Sequence, residues 1–259
     1  AHVQSLRTVP QFDSLPLLPA NLPVSFAPTG AFEIDAGWRN AIAAAGSYYY
    51  VEDQMLSSQP LCEALNARLR ADDDFRVILL TGRFDPNDAP NDIFSWIRAR
   101  AINFNLIRAL TPAQRDRVAL FNHSTKVVHS KIAIADDLWG FVGSPNFSVR
   151  SQFTDFEHGY GFMDEAGTGV PAFRQLLWDE IFAAPQPDMA AAVQRWFDIP
   201  PGGTLGPLQR IALPLAFPTI DTIEQQAADT LFEVDSRQTW GTGLFAILMA
   251  GMANGRIGS

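Results

Sequence analysis

The chain is poor in lysine. Of its 19 basic side chains only Lys126 and Lys131 are lysines, and the remaining 17 are arginines. Acidic groups outnumber basic ones, 28 to 19, for a formal charge of −9. That balance argues against nucleic acid as a partner, because such binding draws on cations that neutralise phosphates. Cysteine is nearly absent: the single Cys62 excludes an internal disulfide. No Cys/His cluster has zinc spacing either, so neither a disulfide framework nor a structural metal is expected. Long apolar runs are missing too. The best candidate, residues 244–250, falls far short of the ~20 residues that span a bilayer and reads as a buried helix. With 47% hydrophobic and 18% charged residues over 259 positions, the composition is globular and excludes disorder of the whole chain.

What is present is organised unevenly. Residues 1–30 carry Pro10, Pro16, Pro19, Pro23 and Pro28 without helical periodicity and read as an extended proline-rich arm. The first residue is Ala1 rather than Met, which suggests processing or secretion and leaves the compartment undetermined. From Phe32 onward, helical and strand patterns alternate. Helices are expected around residues 36–45, over 61–70 and after Asp92, and strands over 48–53 and 76–81. Strands then dominate, over 118–121, 126–135, 138–143 and 157–163, with Asp136-Asp137 as a tight turn. A helix follows Pro171, with Phe173, Leu176, Leu177 and Ile181 as its expected buried face. The pattern describes an α/β fold, a mixed β-sheet flanked by helices. Residues 31–184 are expected to form the main unit, and 185–259 a partly helical extension packed on it. The extension includes a short helix near Val193 and a helix over 222–234.

The densest polar cluster carries the chemistry. It runs from His129-Ser-Lys131 through Asp136 to Gly143-Ser144-Pro145-Asn146. On a strand, residues two apart share a face, so His129 sits beside the Lys131 ammonium. The turn at Asp136 sends the chain back and brings Ser144 and Asn146 alongside. An imidazole, an ammonium, a hydroxyl and an amide converging in this way suit a phosphoryl group: three hold its oxygens, and one attacks phosphorus or protonates the leaving oxygen. Asp136 lies five residues from Lys131, and a carboxylate repels a phosphodiester, so it is assigned to the turn. Glu157, or failing it Asp155, is placed to accept a hydrogen bond from the second ring nitrogen of His129.

These residues resemble the phospholipase D superfamily, whose signature is His-x-Lys, an Asp five residues after the Lys, and a downstream Gly-Ser-x-Asn. All of it is present at His129, Lys131, Asp136, Gly143, Ser144 and Asn146. The stretches 128–137 and 143–151, with Glu52-Asp53-Gln54 upstream and Glu157 downstream, look like the second half of a two-signature phospholipase. The resemblance covers residues 30–184. It implies a phospholipase D-like sandwich, no metal or other cofactor, and phosphodiester transfer through a phosphohistidine intermediate. It also implies a substrate that is a phospholipid or other phosphodiester, with peripheral contact to a membrane. Family active sites use two copies of the signature, and this chain has one. The second is expected from a homodimer mate or from an N-terminal fragment or chain. A homodimeric nuclease and an inactive pairing partner are the alternatives.

Other features have plainer readings. His123 reads as a surface histidine, and the cluster Asp85-Pro-Asn-Asp88 lacks the Gly and closing Glu of a calcium loop. Glu52-Asp53-Gln54 reads equally as site lining or as a capped strand end. Tyr48 to Tyr50 and the tryptophans read as core or interface anchors.

Overall fold

The computed structural model describes residues 2–11, 25–82 and 93–215, and only the backbone of 93–97 and 100. The expected helix over 222–234, the apolar segment 244–250 and most of the acidic loop before Ile93 lie outside the described residues. The strands are β1 (His2–Val9), β2 (Ala31–Phe32), β3 (Tyr48–Asp53), β4 (Arg76–Thr81), β5 (Val118–His123), β6 (Lys131–Ala135), β7 (Trp139–Gly143), β8 (Glu157–Met163), β9 (Thr204–Leu205) and β10 (Leu208–Arg210). They form one ten-stranded sheet in the order β2-β1-β8-β7-β6-β3-β4-β5-β10-β9. The centre, β3-β4-β5, is parallel, and the flanks are antiparallel.

Two apolar cores sandwich this sheet, and the period of two in the strands decides which side chain enters which. Tyr49, Val51, Val77, Leu79, Leu120, Ala133 and Phe141 join one core beneath α1 (Glu33–Ala44), α2 (Gln59–Ala71) and α3 (Ile93–Asn105). Tyr48, Tyr50, Ile78, Leu80, Phe121 and Ile134 join the other, beneath α6 (Gly169–Phe182) and α7 (Met189–Asp198). Burial on both faces explains why the central strands are almost continuously apolar. Three short helical turns, a 3-10 turn (Ile107–Ala109), α4 (Pro112–Arg115) and α5 (Val149–Phe153), complete the chain of described elements.

Several expectations are corrected. The arm at residues 1–30 does not simply overlie the surface: His2–Val9 is a sheet strand paired with β8 from His2↔Met163 to Thr8↔Glu157. Its prolines begin only at Pro10, after the strand has ended. The boundary at 184 is not a structural break, since α7 shares the second core with α6 and β10 extends the sheet from β5. The strand expected over 126–135 starts only at Lys131, because its neighbour β3 ends at Asp53, the partner of Lys131. On α6 the deepest stripe is Val170, Arg174, Trp178 and Phe182; Phe173, Leu177 and Ile181 pack partly buried against the same core as expected, and only Leu176, 72% exposed, does not.

Arg174 is buried within that stripe, with its charge answered by the fold. It donates through Nε to both carboxylate oxygens of Asp137, at 2.7 and 2.9 Å, and through Nη1 to the Gln186 carbonyl at 2.7 Å. Tyr48 donates its hydroxyl to the same Asp137 at 2.7 Å. Asp136 and Asp137 have φ of 54° and 58°, as a type I′ hairpin turn requires at both central positions. Asp136 turns its carboxylate onto the start of β3 and accepts from the backbone N–H groups of Gly46, Ser47 and Tyr48.

Candidate active site

The topology collects the chemistry at one end of the sheet. There β3 ends at Asp53, β4 at Thr81 and β5 at His123. Antiparallel to β3, β6 begins at the same end with Lys131, β7 returns to it at Gly143, and β8 leaves it at Glu157.

His129 lies in the irregular segment before β6 and is exposed, so strand alternation does not place it beside Lys131. Local backbone geometry joins the two instead: Lys131 Nζ donates to the His129 carbonyl at 2.8 Å. Lys131 is only 8% exposed. Burial lowers its ammonium pKa from the ordinary range, while the negative charges of Asp53 and Glu157 pull it back up.

Beyond β7 the loop carrying Ser144 and Asn146 is held tightly. Gly143 makes the close approach possible, since a Cβ there would lie 2.7 Å from Gly159 Cα and 2.8 Å from the His158 carbonyl. Ser144 donates its backbone N–H to the His158 carbonyl at 2.9 Å and its hydroxyl to Glu157. Asn146 is half-buried, and its Oδ1 has no hydrogen-bond partner among the described residues. Phe147, next in line, packs in the first core and accepts at its carbonyl from the N–H groups of Ser57 and Ser58.

Glu157 is occupied by hydroxyls, accepting from Ser144 and, at 2.9 Å, from Ser151. No hydrogen bond joins it to the His129 ring, and Asp155 is paired with Arg150 at 3.0 Å. The expected carboxylate partner of His129 is therefore not engaged in this arrangement. Glu52 points away from Lys131, into the opposite face of the sheet, where it accepts from the Tyr50 hydroxyl at 2.9 Å and from Ser130. Gln54 contributes its backbone carbonyl to the Thr81 hydroxyl at 3.4 Å. Asp53 is the member of that triplet that reaches the site: it is fully buried and is the cross-strand partner of Lys131.

His123 belongs to the same end. Its Nδ1 accepts from the N–H groups of Thr125 and Lys126, at 3.3 and 3.0 Å, which leaves the proton on Nε2 in the neutral ring. Burial, with the Lys126 charge, holds its pKa below the ordinary histidine value. Sequence reasoning included Ser151 and Phe147 in the stretch 143–151 but gave neither a role. Their spacing follows the Gly-Ser-x-Asn stretch, but their partners Glu157 and Asp53 are set by the fold. Among the described residues no three His, Cys, Asp or Glu side chains converge as metal ligands would.

No protein-family model and no curated protein matches the sequence. Solved structures do match. A phosphatidylserine synthase from Haemophilus influenzae Rd KW20 aligns over 98% of this chain and 47% of its own, with 12% identity and a TM-score of 0.52. Nuc from Salmonella typhimurium, a phospholipase D family member, aligns over 71% of this chain and 96% of its own, with 14% identity and a TM-score of 0.44. NucT from Helicobacter pylori aligns over 68% and 95%, with 16% identity and a TM-score of 0.39. This chain spans about half the length of the synthase. The mixed ten-stranded sheet between two helical layers is the fold that this chain shares with that phosphatidylserine synthase.

Proposed function

We propose that this chain supplies one half of a phosphodiesterase active site of the phospholipase D type, with the head-group phosphodiester of a phospholipid as substrate. The observation that carries the reading is the gathering, at one end of the sheet, of the exposed His129, the Lys131 ammonium and the Ser144–Asn146 loop, with the Asn146 amide oxygen unpartnered. Lys131 offsets charge on the non-bridging phosphoryl oxygens, and Ser144 and the Asn146 amide N–H donate to them. His129 moves the proton of the leaving oxygen and then of the incoming water. A second histidine, from a homodimer mate or an N-terminal half, carries the covalent phosphate.

Three things favour a lipid over a nucleotide. Apolar side chains border the site: Val127, two residues before His129, is 77% exposed, and Phe156, next to Glu157, is 63% exposed. The net charge of −9 also disfavours a polyanion. The fold shared with a phosphatidylserine synthase agrees with a phosphatidyl substrate.

Turnover of a chromogenic phosphodiester by the assembled protein tests the reading. His129→Ala and Lys131→Ala should each lower it by on the order of 10²-fold or more, with thermal melting unchanged in His129→Ala because that ring is exposed. Near-normal turnover by either variant overturns the assignment. Chelator should leave turnover of the soluble substrate unchanged, and its loss with recovery on adding calcium or magnesium would remove Lys131 from its role. Comparison of phospholipid vesicles with single-stranded DNA as substrates decides between the lipid and nuclease readings.

A further inference from the structure

Asp53 is a carboxylate in a place where a neutral side chain could have closed the strand. It is 0% exposed at the end of β3, and its Cα partner across the sheet is Lys131. Cross-strand partners extend from the same face, so the carboxylate and the ammonium occupy one side of the sheet. Its Oδ1 accepts from the Met55 N–H at 2.6 Å, and its Oδ2 accepts from the Phe147 N–H at 3.0 Å. One carboxylate thereby ties the loop after β3 to the loop that presents Ser144 and Asn146, while its charge acts on Lys131.

Resting on the phosphodiesterase reading above, we infer that Asp53 is a positioning residue that holds Lys131 and the Ser144–Phe147 loop in one arrangement, and that it takes up a proton when an anion binds at Lys131. The physical reason is competition for one ammonium. An ionised Asp53 partly neutralises Lys131, and a phosphoryl anion arriving at the same cation meets that negative charge at close range. Protonating the carboxylate makes the site more positive by one unit and removes the repulsion. Burial favours the protonated form, pushing the Asp53 carboxyl up to about 7, against the pull of its backbone donors and of Lys131. Among the described residues the charged and titratable groups around it are few. Lys131 comes from β6, Glu157 from the start of β8 within the field of Lys131, and His129 from the segment before β6. On the β4 side Thr81 is neutral, and beyond it the Arg98 guanidinium donates to the Thr81 hydroxyl at 3.3 Å. Ser144, Asn146, Phe147, Ser57 and Ser58 bring no charge.

Linkage gives the sign. Anion binding raises the carboxyl pKa, so between the free and bound values each bound anion takes up a proton and affinity weakens as pH rises, by at most about tenfold per pH unit. The test is KM for a chromogenic phosphodiester between pH 6 and 8.5, in wild type and in Asp53→Asn. Wild-type KM should climb on the order of tenfold across the range. In Asp53→Asn it should stay flat near the wild-type low-pH value. There kcat should fall several-fold at every pH, because the amide keeps only one acceptor for two N–H donors. An Asp53→Asn profile that climbs as in wild type overturns the inference, as does a flat wild-type profile, while turnover itself still supports the phosphodiesterase reading. Wild-type protein that turns over no diester and binds no sulfate fails that reading instead. A second measurement needs no variant: in protein labelled with carboxyl-¹³C aspartate, the resonance titrating near 7 should move its midpoint upward on adding sulfate. An unmoved midpoint, with sulfate shown to bind, rejects proton uptake at Asp53.

Discussion

Strands β3 and β6 run side by side, and each of their two shared ends is built around an acidic side chain, yet the two ends are finished in opposite ways. At the turn end every charge is answered. Asp136 accepts three backbone N–H groups, and Asp137 takes the Arg174 Nε–H on both its oxygens and the Tyr48 hydroxyl. At the other end the pairing is incomplete. Asp53 is buried beside a Lys131 whose Nζ hydrogen-bonds to a carbonyl, Asn146 Oδ1 has no partner among the described residues, and His129 is exposed. The same sheet thus separates acids that hold the fold from groups left available to a ligand. The signature Asp136 belongs to the first set although it lies only five residues from Lys131.

The sharpest break of that contrast is at the closed end. Arg174→Ala strands Asp137 without its buried partner and should cost about 3–5 kcal/mol of stability, read by denaturant unfolding, with turnover per folded molecule unchanged. At the open end, Lys131→Ala should lower turnover by 10²-fold or more, the equivalent of about 2.7 kcal/mol in the transition state, and should cost less stability than Arg174→Ala because Asp53 keeps its backbone donors and can take up a proton. Asp136→Ala removes the acceptor of three N–H groups at the start of β3 and should cost about 1–3 kcal/mol, visible as a lower melting temperature. Asn146→Ala should have the smallest effect, a loss in kcat below about tenfold at constant melting temperature, because Lys131 still supplies the charge. If Asp136→Ala instead abolished turnover at unchanged stability, the division between the two ends would fail.

Much of the fold was legible. Strands β3 and β4 fall where β-branched and aromatic runs place them, because burial on both faces leaves little room for polar residues, and β8 falls where expected although only Gly159 and Gly161 in it are buried. Strand β1 was hidden by the prolines that follow it, and its partner β8 lies 153 positions away at Ser5 and His158. Lys126 to Ser130 looked like strand because Val127 and Val128 favour it, but there is no residue of β3 left to pair with them. On α6 only Leu176 was misplaced, and the buried arginine in its stripe was not foreseen because only the fold brings Asp137 to it. The candidate site was legible in its parts and not in its wiring. His129, Lys131, Ser144 and Asn146 follow from the signature, whereas the reach of Asp53 to Lys131 and Phe147 depends on which strands become neighbours.

The central claim is that the open end is one half of a phosphodiester site and needs a second. Native mass measurement on the species that turns over a chromogenic phosphodiester tests it most directly. The account predicts that activity resides in an assembly with two signature histidines per site, either two copies of this chain or this chain with a second signature-bearing unit. Full activity in a single 28.5 kDa copy of this chain, with His129 as its one signature histidine, would contradict it.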